Sequence, residues 1–477
     1  MKKVVIWSGL AGFLVLVAGC GVGSVPDSQM AAVTAMAPQS WVASGPGRAG
    51  VDEEWVRRFG DSRLEALVRE AIAANPNLQS TREKVQRAVI LAEASNAASL
   101  PQLNGTFNGN RNKQVFVGLP IPGSSGPLSS LSTNFGASLD VSWEPDIWGK
   151  VAAGQAADLA RVGAEENAYR AARASLAGQV VKAWLALGEA QEQVALSQYT
   201  LGLRKKLETA VHERFANALS EDGGTAAQLR LARTEVANNE ELIVSWQAEA
   251  ERARRQLEIL VGRYPAGQAG QGVTLPSLPT KPPVGLPSEL LQRRPDVLEA
   301  ERLFAAASKD REVAHWARFP SISLTSSAGR SSSQLEDLLK SDFGVWSLGG
   351  NLTAPILSGG QLRANYELSQ SSERGALADL QSKVLAAFGE VEQALVADAF
   401  FDERLAAAER ALAESEAADE AAVRDYADGL DNVLTVLEAQ GQRTQIASQV
   451  VTLRRQRLEN RVDLHLALGG DFKVRGK

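Results

Sequence analysis

From Phe135 to Trp143 the chain alternates strictly, with Phe135, Ala137, Leu139, Val141 and Trp143 on one parity and Gly136, Ser138, Asp140 and Ser142 on the other. A period of two with one apolar and one polar set predicts a strand whose faces meet different surroundings. The alternation stops at Glu144-Pro145-Asp146-Ile147-Trp148-Gly149. Upstream, Asn104, Thr106, Asn108, Asn110 and Asn112 hold the even positions, with Leu103 and Phe107 on the odd ones. Between the two stretches lie Pro120, Pro122, Gly123, Gly126 and Pro127, which predict a β-hairpin over about residues 102–145 with a turn-rich loop, about 116–130, at its tip.

Beyond Gly149 the period changes. From about Lys150 to Phe215, Val162, Tyr169 and Leu176, then Val180, Leu187, Val194 and Leu201, recur every seven residues among many alanines. A sustained heptad rich in small residues predicts coiled-coil packing at close approach, and such a helix spans about 100 Å at about 1.5 Å per residue. Glu221-Asp222-Gly223-Gly224 marks a turn, and Leu229, Val236, Ile243, Ala250 and Leu257 carry a returning helix to Leu260-Val261-Gly262. Ahead of the hairpin, helical signals start at Val51. Leu64, Leu67, Val68, Ala71 and Ile72 form an amphipathic helix, broken at Asn75-Pro76-Asn77 and followed by a second helix to about Ala98.

The same order then recurs, which predicts an internal repeat. After a Pro/Gly-rich crossing at 263–288, Arg294-Pro295-Asp296 stands where Asn75-Pro76-Asn77 stood, and Phe319-Pro320 where Leu100-Pro101 stood. A second hairpin is predicted over about 320–355, its connection from Gly329 to Asp342, with Trp346, Leu348, Leu352 and Ala354 alternating against Val345, Ser347, Asn351 and Thr353. Pro355-Ile356-Leu357-Ser358-Gly359-Gly360 leads into a heptad helix, which turns near Tyr426 to Asp431 and returns to Leu468-Gly469-Gly470. The organisation is therefore a first repeat at 51–262, a second at 289–470 and a tail at 471–477. Four strands cannot close a barrel alone and open edges are not tolerated in lipid, so oligomerisation is expected.

The N-terminus adds a location. Lys2 and Lys3 precede an apolar run from Val4 to Val17 that closes in Val17-Ala18-Gly19-Cys20, the form of a secretory signal over residues 1–19. The tetrapeptide resembles the bacterial lipobox, which implies lipidation of Cys20; by the same resemblance Gly21 favours the outer membrane. Residues 20–50, rich in Gly, Ser, Ala and Pro, read as an extended tether. Cys20 is the only cysteine, so neither an intramolecular disulfide nor a cysteine zinc site is available. The 50 basic and 56 acidic residues are interleaved, with no basic patch for nucleic acid.

Taken in order and duplication, several stretches resemble the TolC-like outer-membrane efflux proteins, in particular the lipidated outer-membrane factors of resistance-nodulation-division systems. They are Phe59-Gly60-Asp61, Asn75-Pro76, Trp143 to Gly149, Leu291 to Val297, Phe319-Pro320, Pro355 to Gly360, Val391-Glu392-Gln393-Ala394-Leu395 and Ala467 to Gly470. The resemblance implies a mixed α/β membrane protein, a homotrimer whose four strands per chain make a 12-stranded β-barrel continuous with a long helical barrel in the periplasm. It implies a periplasmic adaptor and an inner-membrane pump as partners, and a passive exit duct for drugs or other small solutes. By motif it assigns a periplasmic aperture to Tyr426 and Glu438, with Asp428 and Asp431 beside them; a ring of such acids attracts cations. Glu438 stands where the family often has Asp, Thr435 where some members carry a further acid, and the first-repeat turn carries extra residues. Ser138, Asp140 and Ser142 then face the lumen, and Trp143, Trp148 and Trp346 form an aromatic belt.

Enzyme chemistry finds no footing. His212, His315 and His465 lie in no metal-ligand spacing, His465 replaces an apolar heptad position, the Gly-Gly pairs lack a phosphate-loop lysine, and no serine sits in a nucleophile elbow. No cofactor, nucleotide or metal is implied. The same elements also suit the exit duct of a type I protein secretion system. A lipid-anchored periplasmic adaptor or scaffold shares the heptads and the cysteine but not the two alternating hairpins.

Overall fold

The computed structural model describes residues 27–43, 55–116, 128–217 and 224–470. The signal segment, Cys20, Val51 to Glu54, most of the first hairpin loop, Glu221 to Gly223 and the tail lie outside the described residues. The helices are α1 (Asp27–Thr34), α2 (Ser62–Ala74), α3 (Pro76–Ala97), α4 (Lys150–Ala216), α5 (Ala226–Leu260), α6 (Pro287–Leu290), α7 (Pro295–Trp316), α8 (Gln361–Ala427) and α9 (Val433–Ala467). The strands are β1 (Gln102–Phe116), β2 (Leu128–Trp143), β3 (Ser321–Ser332) and β4 (Gly344–Thr353).

Helix lengths come in pairs: α3 and α7 have 22 residues each, α4 and α8 have 67, α5 and α9 have 35. The turns between the long helices differ. Nine residues (217–225) separate α4 from α5, and five (428–432) separate α8 from α9. The extra residues expected in the first-repeat turn are therefore present.

Two compact units divide the chain. One, residues 91–160 and 305–373, holds an antiparallel sheet in the order β1-β2-β3-β4. Both exits from this sheet are built by turn chemistry. After β2, Gly149 takes a φ of 84°, the Asp146 carboxylate accepts the Ala152 amide at 2.8 Å, and Lys150 pairs with Glu144 at 2.8 Å. A carboxylate on the first-turn amides satisfies donors that a helix start leaves free. After β4, Gly359 and Gly360 supply φ values of 57° and 86°. The connection expected from Gly329 to Asp342 is shorter than that. β3 runs on to Ser332, and the remainder carries two 3-10 turns, Leu335–Leu339 and Ser341–Phe343, because Leu338 is buried and Asp337 accepts bonds from Ser332 and Lys340.

The other unit comprises the described residues of 27–90, 161–304 and 374–470. Its main core gathers Trp55, Phe59, Leu64, Val180, Trp184, Leu187, Leu257 and Val462. His465, fully buried, stacks on Trp55 at 5.4 Å, a packing role. Asn75 joins three helices: it caps the end of α2, accepts the Leu78 amide of α3 at 3.1 Å and donates to the Leu260 carbonyl of α5 at 2.9 Å. Arg294 stands at the matching place before α7 and donates to the Ala467 carbonyl at 3.4 Å. Gly262 and Gly469, both at a φ of 79°, end α5 and α9, where positive φ favours glycine.

The stretch expected to be an extended tether is partly folded. Asp27–Thr34 is helical, and Trp41 is 1% exposed, donating from Nε1 to the Gly285 carbonyl at 3.1 Å and packing edge-on against Phe388. The amides of Val42 and Ala43 both donate to the Glu392 carboxylate, at 2.7 and 3.0 Å. Burial of Val33 and Trp41 overrides the local Gly/Pro/Ser signal.

Candidate functional site

Strand pairing decides which side chains share a face. In register, Asn104, Asp140, Ser327 and Ser347 form one row across all four strands, and Gln102, Ser142, Thr325 and Gly349 the next. Thr106, Ser138 and Gly329 continue the same side. The Asp140 carboxylate accepts Ser138 at 2.9 Å and Ser327 at 2.6 Å, and Ser331 donates to Asn134 at 2.8 Å. The structure thus brings Ser138, Asp140 and Ser142 together on a face that is polar over most of its area.

The opposite face is apolar. Its rows are Trp143 with Leu324, Leu103 with Val141, Ser326 and Leu348, Gly105 with Leu139, Ala328 and Trp346, and Phe107 with Ala137 and Arg330, so Ser326 and Arg330 are its polar members at these levels. Leu103, Phe107, Leu139, Trp346, Leu348 and Leu352 are exposed there. The three tryptophans do not share a row. Trp143 ends β2 and donates to the Ser99 carbonyl at 2.9 Å; Trp346 is level with Leu139, four positions further up β2. Trp148 lies beyond the strand, donates to the Pro320 carbonyl at 2.6 Å and packs on Phe319. Beside it His315, Trp316, Phe319 and Tyr366 cluster, with Arg318 over the Tyr366 ring at 4.3 Å.

The aperture candidates lie at the α8–α9 turn. It is a Schellman end: Gly429, with a φ of 75°, donates to the Tyr426 carbonyl and Leu430 to the Asp425 carbonyl. Asn432 caps α9 by accepting the Leu434 amide, and Asp431 accepts the Asn432 amide and the Thr435 hydroxyl. Asp428, Asp431 and Glu438 are exposed. Tyr426 is placed differently from a projecting residue. It is 4% exposed in a small core with Leu207, Val211, Val433 and Val436. The Arg214 guanidinium lies 4.1 Å over its ring and donates to its carbonyl at 2.6 Å. Burial raises the Tyr426 phenol pKa above its ordinary value although Arg214 opposes it. Arg214 was not singled out from the sequence; its basic place in the last turn of a helix is the only local signal.

Also missed was the role of Arg294, buried with side-chain bonds to Asp296 at 2.7 Å and Glu390 at 2.6 Å. It borders a cavity of about 610 Å³ lined by Ser175, Gln393, Asn460, Asp463 and Gly469 among others. Among the described residues, no group of three or more His, Cys, Asp or Glu side chains is placed to hold a metal. No described helix is long and apolar enough to cross a membrane.

Known proteins share the sequence and fold along nearly the whole chain. The family model described as outer membrane efflux protein matches residues 67–263 and 286–470. Outer membrane protein OprJ of Pseudomonas aeruginosa is 32% identical over 454 residues, covering 91% of this chain and 90% of that protein. The pyoverdine export outer membrane protein OpmQ of the same species is 30% identical over 472 residues, covering 96% and 95%. Among solved structures, the outer-membrane channel OprN superposes with a TM-score of 0.83 at 25% identity, covering 91% of this chain and 96% of that one. The chain belongs to the outer membrane efflux protein family.

Proposed function

We propose that this protein is the outer-membrane channel of a tripartite efflux system, a passive exit duct for drugs or other small solutes delivered by an inner-membrane pump through a periplasmic adaptor. One observation carries the reading: a four-stranded antiparallel sheet with one apolar and one polar face, β1 and β4 at its edges, whose two hairpins each lead into a 67-residue helix. Open edges in hydrocarbon cost several kcal/mol per unpaired backbone group, so β4 of one copy pairs with β1 of the next. Three copies close twelve strands around a lumen, a number taken from the family resemblance. The two halves are read as an internal repeat, supported by the paired helix lengths.

In this assembly Ser138, Asp140 and Ser142 line the lumen, and the row of Leu103, Val141 and Leu348 meets lipid. Trp143 and Trp148 sit at the periplasmic interface and Trp346 on the lipid face. Cys20 carries the lipid anchor. Glu438, Asp428 and Asp431 ring the periplasmic aperture, with Tyr426 as the packed residue behind them, held by Arg214. Energy comes from the pump. Relatives with different printed cargoes, pyoverdine in one and cations in another, match at similar identity, so the cargo is not written in overall similarity. Purified protein is expected to run in detergent as a heat-dissociable trimer and to give single-channel currents in planar bilayers. A monomer without pores would overturn the reading.

A further inference from the structure

We infer that Arg111 and Lys113 form a binding site for phosphate-bearing lipid headgroups of the outer leaflet. The inference rests on the barrel-wall reading of the sheet. Following the apolar face up from Trp143, the β1–β2 rows are Leu103 with Val141, Gly105 with Leu139, Phe107 with Ala137 and Gly109 with Phe135. The next two on this face are Arg111 with Thr133 and Lys113 with Leu131. Trp143 and Thr133 are ten positions apart on β2, roughly 33 Å at about 3.3 Å per residue. A strand tilt of about 40° brings that to about 25 Å, the height of the apolar band of a transmembrane barrel. On β1 the first outward cation therefore arrives where hydrocarbon ends. That end is the far one from Trp143, because β2 leaves the sheet for α4 at Trp143, and α4 belongs to the periplasm in this reading.

A third cation on the same face, Arg330, is also exposed but has a partner. Level with Phe107 and Ala137 inside the band, it donates to the Leu338 carbonyl at 3.1 Å, as a cation facing hydrocarbon needs. Arg111 and Lys113 are exposed, and among the described residues neither meets a carboxylate. Residues 117–127 contribute no charged side chain. On the other hairpin connection Asp337 is engaged by Lys340, and Glu336 and Asp342 are its remaining acids. Two positions apart on one strand face, the planar fork of Arg111 and the point charge of Lys113 stand about 7 Å apart along the backbone, a span that brackets one phosphate group.

The test uses the full-length protein in detergent, titrated with lipid A bearing two phosphates and read by native mass spectrometry. The trimer is expected to bind it, and the double substitution Arg111→Gln, Lys113→Gln to lower the affinity at least tenfold. Dephosphorylated lipid A should bind the unaltered protein no better than intact lipid A binds the variant, and the exchange Arg111→Lys, Lys113→Arg should retain binding. Equal binding by the double variant, or by the dephosphorylated lipid, overturns the site. Displacement of lipid A by millimolar inorganic phosphate alone would make this a free-anion site and overturn the lipid assignment. Single-channel conductance of the double variant should match the unaltered protein. Pores without charge-dependent lipid binding refute this site alone, whereas absence of pores refutes the channel.

Discussion

Arg294 shows how one side chain can tie a helix start to two others. Its guanidinium meets Asp296 and Glu390 while donating to the Ala467 carbonyl, so α7, α8 and α9 converge on it. Burial pushes the Asp296 carboxyl up, but bonds and attraction from Arg294 with the Val297 amide outweigh it, and the net pKa lies below the ordinary carboxylate value. A depressed folded pKa contributes stability that is present above the unfolded value near pH 4 and lost as pH falls through the folded one. Asp296→Asn should therefore melt below the unaltered protein at pH 7, with the gap narrowing by pH 3; a gap independent of pH would rule the ion pair out. Arg294→Gln should cost on the order of 1–2 kcal/mol, less than the about 3–5 kcal/mol of a fully buried pair, because the Glu390 side chain is 54% exposed. Glu438 offers a different kind of test. It is exposed near the start of α9, and in the proposed aperture it would be one acid of a ring that attracts divalent cations. Glu438→Gln should weaken conductance block by divalent cations in bilayers, and unchanged block would remove this acid from the aperture.

Periodicity made most of the elements legible. The heptads of α4, α5 and α8 and the alternation of β2 and β4 were readable because each apolar stripe repeats within its own segment. Helix ends at Gly262 and Gly469 were readable for a similar reason, since a positive φ leaves a glycine behind. What escaped depends on partners distant in sequence. Arg214 covers a tyrosine 212 residues away, and Trp41 finds its acceptor 244 residues on. Composition alone made the stretch around Trp41 look like a tether, whereas burial folds it. The acceptor for the Val42 and Ala43 amides in this dock is the Glu392 carboxylate, inside the Val391-Glu392-Gln393-Ala394-Leu395 stretch that carries the family resemblance. Trp41→Ala should remove about 3–5 kcal/mol of packing from this dock. Because the loss is local, it should speed limited proteolysis within residues 27–43 several-fold while leaving pore conductance unchanged. An unaltered cleavage rate would show that Trp41 does not hold the segment.

For the whole molecule, the two faces of one sheet decide what the assembly is. A soluble scaffold has no use for Leu103, Phe107, Leu348 and Leu352 exposed on one side of a sheet whose other side is lined largely by Asn, Ser, Thr and Asp. A channel wall needs both. Neighbours on β4 separate these alternatives, because Ser347 lies in the row of Asp140 and Leu348 in the row of Val141. A lysine on the lipid side costs up to about 2–4 kcal/mol per copy at the bilayer midplane and less toward the interface that Trp143 marks, whereas one on the lumen side remains hydrated and acts on permeating ions. Leu348→Lys should thus reduce recovery of heat-dissociable trimer from membranes. Ser347→Lys should assemble normally and shift the reversal potential of the pore toward anion selectivity. If the two variants exchanged behaviours, the sheet would face the other way. If both assembled and neither changed selectivity, the strands would not enclose the conduction path.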